Sequence, residues 1–378
     1  MTGNDNQANT GRRKGRWRRR VVYGMYLFIV TLLLLELVLR IYNPFHFRLK
    51  GDKVILPISQ RETILNEINP KLDPVIVNTR NRLGFRGPEP PGDWARKLTV
   101  ITIGGSTTEC HFLSDSLTWP FLLGERLADS VPDCWLNNAG LDGQSTFGHI
   151  VMLNDYVKKL RPSVIVFLTG INDVETDAPL FHDKLYQRGA YPDLLHFLYN
   201  NSEVLNLGLN LWRGVKARRF NNTTHRMMAL DSVQRLDLPD SLVRRRMGRQ
   251  APYVADYRKR LTELADTCLA WHIVPVFMTQ PDQFGYGRDP VTGADLALFP
   301  VRPGENGRLL WEVLEQYNDA VRGLGAERGV PVIDLARLMP KNSLYFYDMS
   351  HFTNRGAEEV AGLAAPSMVR ILRGVRHL

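Results

Sequence analysis

At 378 residues and 44% hydrophobic composition, the chain is long enough to bury a full core, and it reads as one large domain with attachments. A formal net charge of +9 invites a nucleic-acid partner, but residues 1–20 hold seven basic side chains against Asp5 alone, so +6 of the +9 lies in a short polar tail. The rest is close to balance, which excludes a broad basic binding face and leaves nucleic acid outside the expected partners.

The basic tail, residues 1–20, is followed at once by Val21–Leu39, which is uncharged but for Glu36. Nineteen such residues rise about 28 Å as a helix, enough for a hydrocarbon core of about 30 Å. The expected organisation is a basic cytoplasmic tail (1–20), a single transmembrane anchor (21–42) and everything after Arg40 on the outer side of a cytoplasmic membrane, since basic flanks stay inside. A cleaved signal peptide is the competing reading. Against it, the apolar run is long and no small-x-small cleavage site follows. Residues 43–96 scatter Pro, Gly and charge without a period and read as a juxtamembrane spacer, with a short helix near Arg61–Ile68, ending in Asn81-Arg-Leu-Gly-Phe-Arg-Gly87.

From Lys97 strands alternate with helices, the pattern of a parallel sheet with crossover helices. Apolar runs at Leu98–Ile103, Cys134–Asn138, Ser163–Thr169, Ile273–Thr279 and Val330–Leu335 predict five strands. Helices are expected near Trp119–Ser130, Ser145–Leu160, Val254–Trp271, Glu305–Arg328 and Arg355–Arg373, giving an α/β three-layer sandwich over 97–378. Residues 177–252 interrupt the rhythm and read either as an insertion lying over the site or as a solvated excursion with no substrate role. Three cysteines, Cys110, Cys134 and Cys268, fit no metal spacing. Outside the cytoplasm one pair can form a disulfide, and Cys110–Cys134 is the better placed, both lying at the ends of core elements.

In open parallel sheets ligands collect at the carboxyl ends of strands, and four such segments carry polar residues. Gly104-Gly-Ser-Thr107 ends the first strand in a tight turn that exposes Ser106. Alone, this turn serves equally well to cap a helix or bind a phosphate, although no P-loop pattern follows it. Asn137-Asn-Ala-Gly-Leu-Asp-Gly143 ends the second strand, Thr169-Gly-Ile-Asn-Asp173 the third, and Tyr347-Asp-Met-Ser-His-Phe-Thr-Asn354 precedes the last helix. Acyl transfer needs a nucleophile, a base, a group that orients the base and donors for an oxyanion. Ser106, His351, Asp348 and the donors Ser106 N–H, Gly143 or Gly140 N–H and the Asn172 amide fill those roles. Each residue alone has an ordinary structural explanation; their joint order does not.

These segments resemble the blocks of the SGNH hydrolases, the GDSL-type esterases and lipases, over roughly Lys97 to the C-terminus. Gly170-Ile-Asn-Asp173 matches the family's Gly-x-Asn-Asp block and Asp348-Met-Ser-His351 its Asp-x-x-His block. Asn138-Ala-Gly-Leu-Asp-Gly143 matches the glycine block, and points to Gly143 over Gly140. Gly104-Gly-Ser-Thr107 departs from Gly-Asp-Ser-Leu and resembles a divergent, membrane-tethered bacterial branch. The resemblance implies a flavodoxin-like sheet of five parallel strands. It also implies a serine esterase using Ser106, His351 and Asp348, with an oxyanion hole of Ser106, Gly143 and Asn172, and neither metal nor cofactor. The expected substrate is an acyl ester on a small molecule, glycan or lipid. Competing implications are an O-acyltransferase that passes the acyl group to an exported polysaccharide, and a non-catalytic glycan-binding protein.

Overall fold

The computed structural model describes residues 5–45, 49–50, 53–54, 56–67, 69–179, 183, 198, 201–219, 225, 227–230 and 233–376. They fall into two compact units, Met1–Ile55 with Gly189–Asn222, and Leu56–Arg188 with Thr223–Leu378.

In the first unit, helix α1 (Asp5–Ile41) runs unbroken from the polar tail through the apolar run. Its segment Trp17–Ile41, in which an 18-residue window reaches a mean hydropathy of 2.3, is long and apolar enough to cross a membrane, as an anchor or a signal sequence would be. The same unit holds the helix Glu203–Arg219.

The second unit opens with an antiparallel hairpin of strands β1 (Gln60–Leu65) and β2 (Val75–Arg80), in register from Gln60 opposite Arg80 to Leu65 opposite Val75. A helix near Arg61–Ile68 is therefore not what forms. Most side chains of β1 are exposed, and the segment is held by its ladder to β2 rather than by an apolar stripe.

The central sheet comprises β3 (Leu98–Gly104), β4 (Cys134–Asn138), β5 (Val164–Thr169), β6 (Val274–Thr279) and β7 (Val332–Ile333), all parallel, in the order β4-β3-β5-β6-β7. This is the flavodoxin-like order, with its switch point between β3 and β5. Every residue of β3 and β5 is buried, as strands covered on both faces must be. On one face Val100, Val166, Val276 and Ile333 pack against Leu123 and Leu127 of α3 (Trp119–Ser130) and against Val360, Ala364 and Met368 of α7 (Asn354–Arg376). Helices α4 (Thr146–Met152), α5 (Ala251–Ala270) and α6 (Gly307–Arg328) form the other layer.

The structure departs from the expected boundaries in two further places. A helix expected over Ser145–Leu160 is α4 followed by a wider turn at Leu153–Val157. The fifth strand shrinks from Val330–Leu335 to two residues, because Leu335 already begins a short helix, Leu335–Leu338. No disulfide joins Cys110, Cys134 or Cys268, so the Cys110–Cys134 pairing does not form; Cys110 instead donates to the Thr107 carbonyl oxygen at 3.4 Å.

Candidate active site

Ser106 is the first residue of the single-turn helix α2 (Ser106–Glu109), which follows β3 with only Gly105 between them. First-turn N–H groups have no intrahelical acceptor, so the Ser106 amide is left pointing out of the helix start beside its own hydroxyl. Gly105 must be glycine. A Cβ there would sit 2.5 Å from Asn172 Nδ2 and 2.9 Å from the Gln144 carbonyl oxygen. The space that an aspartate would need in a Gly-Asp-Ser-Leu block is taken up by the Asn172 amide.

Asp348 and His351 lie in the loop ahead of α7. His351 Nε2 is 2.7 Å from Ser106 Oγ, and His351 Nδ1 is 2.6 Å from Asp348 Oδ2. Asp348 Oδ1 accepts from the backbone N–H of Ser350 at 3.0 Å and of His351 at 2.8 Å, so the carboxylate is fixed from both sides. With Nδ1–H given to Asp348, Nε2 is free to accept the serine proton. Burial works to lower the His351 pKa, but the adjoining Asp348 carboxylate outweighs it and holds the imidazole above its ordinary value. Asp348 is pushed up by burial, but the charge and hydrogen bonds of His351 bring it below the usual carboxylate range. All three residues are buried, with 6–8% of their surfaces exposed, so these charges act with little screening.

Asn172 follows β5 across the switch point, and its Nδ2 donates to the Gln144 carbonyl at 2.9 Å, which holds the amide against Gly105. Its neighbour Asp173 is fully buried; it accepts from the Thr146 amide at 3.1 Å and from Arg260 Nη2 at 3.3 Å. Burial pushes Asp173 up to about 6, and Arg260 only partly offsets this. Gly143 has φ +74, a conformation that side chains with a Cβ rarely adopt. Gly140 donates its amide to Asn138 Oδ1 at 2.9 Å, which removes it as a rival donor; it is also a packing glycine, since a Cβ would lie 2.5 Å from the Glu109 nitrogen. The structure thus brings Ser106, His351 and Asp348 into direct contact, with Asn172 beside Gly105.

Three supports carry no signal of their own in the sequence. Arg86, 1% exposed, uses all five of its N–H donors: Nε to Asp115 Oδ1 (2.8 Å), Nη1 to the carbonyls of Glu109 (2.6 Å) and Cys110 (2.7 Å), and Nη2 to Asn78 Oδ1 and the Leu113 carbonyl (both 2.7 Å). It thereby closes the carboxyl end of α2. Glu109, fully buried, accepts from Arg80 and from the Asp142 amide, linking α2 to the glycine block. His225, from the 177–252 insertion, packs against His351 with ring centroids 4.2 Å apart and planes tilted by 38°, and shares a 2.7 Å hydrogen bond through Nδ1 with Tyr347 Oη. The insertion therefore reaches the site at this residue; Asn200, Asn221 and Asn222 lie outside the described residues. The donor atoms of His225, Asp348 and His351 lie within 4.8 Å of one another, but Asp348 and His351 are already spent on each other.

A profile of the GDSL-like Lipase/Acylhydrolase family matches residues 102–358. The chain belongs to this family. As a GDSL-like hydrolase it is an ester hydrolase, and its fold, a five-stranded parallel sheet between helical layers, is that of the family. A search of the curated proteins finds no match. Among solved structures, a lipase/acylhydrolase from Enterococcus faecalis is similar at 16% identity and a TM-score of 0.41, with 72% of this chain and 96% of that one covered. An acetylxylan esterase from Geobacillus stearothermophilus, solved as a catalytic mutant, is similar at 13% identity and a TM-score of 0.41, covering 72% of this chain and 93% of that one.

Proposed function

We propose that this GDSL-like hydrolase is a serine esterase that removes O-acyl groups from a glycan or lipid, working at the outer face of a cytoplasmic membrane to which α1 anchors it. The observation that carries the chemistry is the continuous chain Ser106 Oγ, His351 Nε2, His351 Nδ1, Asp348 Oδ2, with links of 2.7 and 2.6 Å. Ser106 attacks the ester carbonyl as its proton passes to His351 Nε2, and Asp348 stabilises the imidazolium that forms. The tetrahedral oxyanion is met by the Ser106 and Gly143 amides and the Asn172 side chain. Collapse expels the alcohol, which takes the proton from His351. Water, deprotonated by the same imidazole, then attacks the acyl-serine and releases the acid and Ser106.

The anchor reading rests on the basic block before a run that is apolar and long enough to span, with no cleavage pattern after it. Hydrolysis of p-nitrophenyl esters of increasing chain length, by wild type and Ser106→Ala, tests the esterase reading. Turnover that collapses in the variant supports it, and a preference for acetate points to deacetylation. Equal turnover in both proteins, or none in either, would contradict it.

A further inference from the structure

Glu36 is the one acid in the apolar run of α1, and its carboxylate is fully engaged. Oε1 accepts from Arg40 Nε at 2.8 Å and from the Glu203 amide at 3.1 Å; Oε2 accepts from Ser202 Oγ at 2.9 Å and from the Val204 amide at 3.0 Å. Ser202 Oγ in turn accepts from the Leu205 amide at 3.2 Å. The first three N–H groups of the helix Glu203–Arg219 are thus satisfied, two of them by a side chain of α1. Two more bonds flank this contact: Arg40 Nη2 to the Asn201 carbonyl at 2.6 Å, and Asn43 Nδ2 to Glu203 Oε2 at 3.1 Å. Leu39, next to Arg40 in sequence, is 5% exposed, while most of the apolar run around it is open.

A carboxylate near the end of a membrane-spanning helix and the bare N–H groups of a helix start are each costly in lipid, and here each satisfies the other. Glu36 is five residues from the end of α1, about 7.5 Å along its axis, so the start of the second helix is held at the depth where hydrocarbon meets headgroups. On that helix Leu205, Leu211 and Trp212 are 40, 56 and 58% exposed. In sequence Val204–Trp212, apolar but for Asn206, Gly208 and Asn210, is followed by Arg213, Lys216, Arg218 and Arg219, the order of an interfacial helix.

We infer that Glu203–Arg219 is a second membrane-contacting element, docked on α1 through Glu36 and seated in the lipid interface, with the bilayer that holds α1 covering Leu205, Leu211 and Trp212. The inference rests on the anchor reading, and the test separates the two. Full-length protein, with Cys110, Cys134 and Cys268 replaced by alanine, is spin-labelled at Trp212→Cys or Leu33→Cys and reconstituted in phosphatidylcholine–phosphatidylglycerol vesicles. Accessibility to oxygen and to a water-soluble nickel chelate is then measured. Both labels are expected to favour oxygen, position 33 more strongly, and adding Glu36→Ala is expected to abolish the preference at 212 while leaving 33 unchanged. A chelate-accessible 212 beside a lipid-facing 33 overturns the interfacial helix alone. If 33 is also chelate-accessible, the anchor reading falls and this inference with it. A 212 signal indifferent to Glu36→Ala overturns the docking through Glu36.

Discussion

Two regions of the hydrolase unit meet at the site in different ways. The carboxyl ends of the strands and the loop before α7 carry the residues proposed to react: Ser106 after β3, Asn172 after β5, and Asp348 with His351 before α7. The hairpin segment 56–96 supplies none, yet it holds the loops that do. Arg86 closes the carboxyl end of α2, Asn69 Nδ2 donates to the Tyr347 carbonyl at 3.2 Å, and Lys71 Nζ donates to the carbonyls of Ser343 and Phe346 at 2.9 and 3.1 Å. Strand ends are set by the sheet, whereas the loops beyond them need an outside brace to keep a 2.7 Å contact between residues 245 positions apart. Changes in the first region should therefore cost rate with the fold intact, and changes in the second should cost stability.

The largest expected loss is at Ser106→Ala, about 10⁶-fold in kcat with an unchanged melting curve, read by ester hydrolysis and calorimetry. Asp348→Asn is expected to cost about 10⁴-fold, because the imidazole loses its orienting acceptor and rests in the wrong tautomer. Asn172→Ala should cost about 10²- to 10³-fold in kcat with little change in KM, the mark of a donor used mainly in the transition state. Arg86→Met reverses the pattern. Removing one partner of a buried charge network should destabilise by about 3–5 kcal/mol in denaturant unfolding, while the folded fraction keeps most of its kcat. If Arg86→Met lost rate without stability, the division between the two regions would be wrong.

The smallest effect is on pH dependence. The base must be neutral to accept a proton, and His351 is held above the ordinary imidazole value, so kcat/KM should rise with pH through a midpoint above that value. In Asp348→Asn the charge that raises it is gone while burial remains, so the midpoint of the residual activity should move to lower pH.

The same contrast explains what the sequence made legible. Strands β3, β5 and β6 are largely buried and so appear as runs rich in apolar and β-branched residues, and the residues directly after them are placed at the sheet's carboxyl edge. Gly105 was legible as a glycine, but not its reason, which is the Asn172 amide lying in the space of a Cβ. β1 carries no strand signal of its own, because an exposed strand such as Gln60-Arg-Glu-Thr-Ile-Leu65 has no apolar alternation to reveal it. Arg86 and His225 act through partners 23 and 126 positions away, and no local pattern encodes such contacts. The bond from Glu36 to residue 203 is of the same kind; along the chain it is only a lone acid in an apolar run.

The most direct measurement is covalent labelling by diisopropyl fluorophosphate, read as intact mass and then by peptide mapping. A nucleophile paired with a base displaces fluoride and keeps the phosphoryl group. One adduct per chain is expected, mapped to Ser106, absent in Ser106→Ala and strongly slowed in His351→Ala. An adduct on another serine, or wild-type protein left unlabelled while it hydrolyses esters, would contradict Ser106 as the nucleophile.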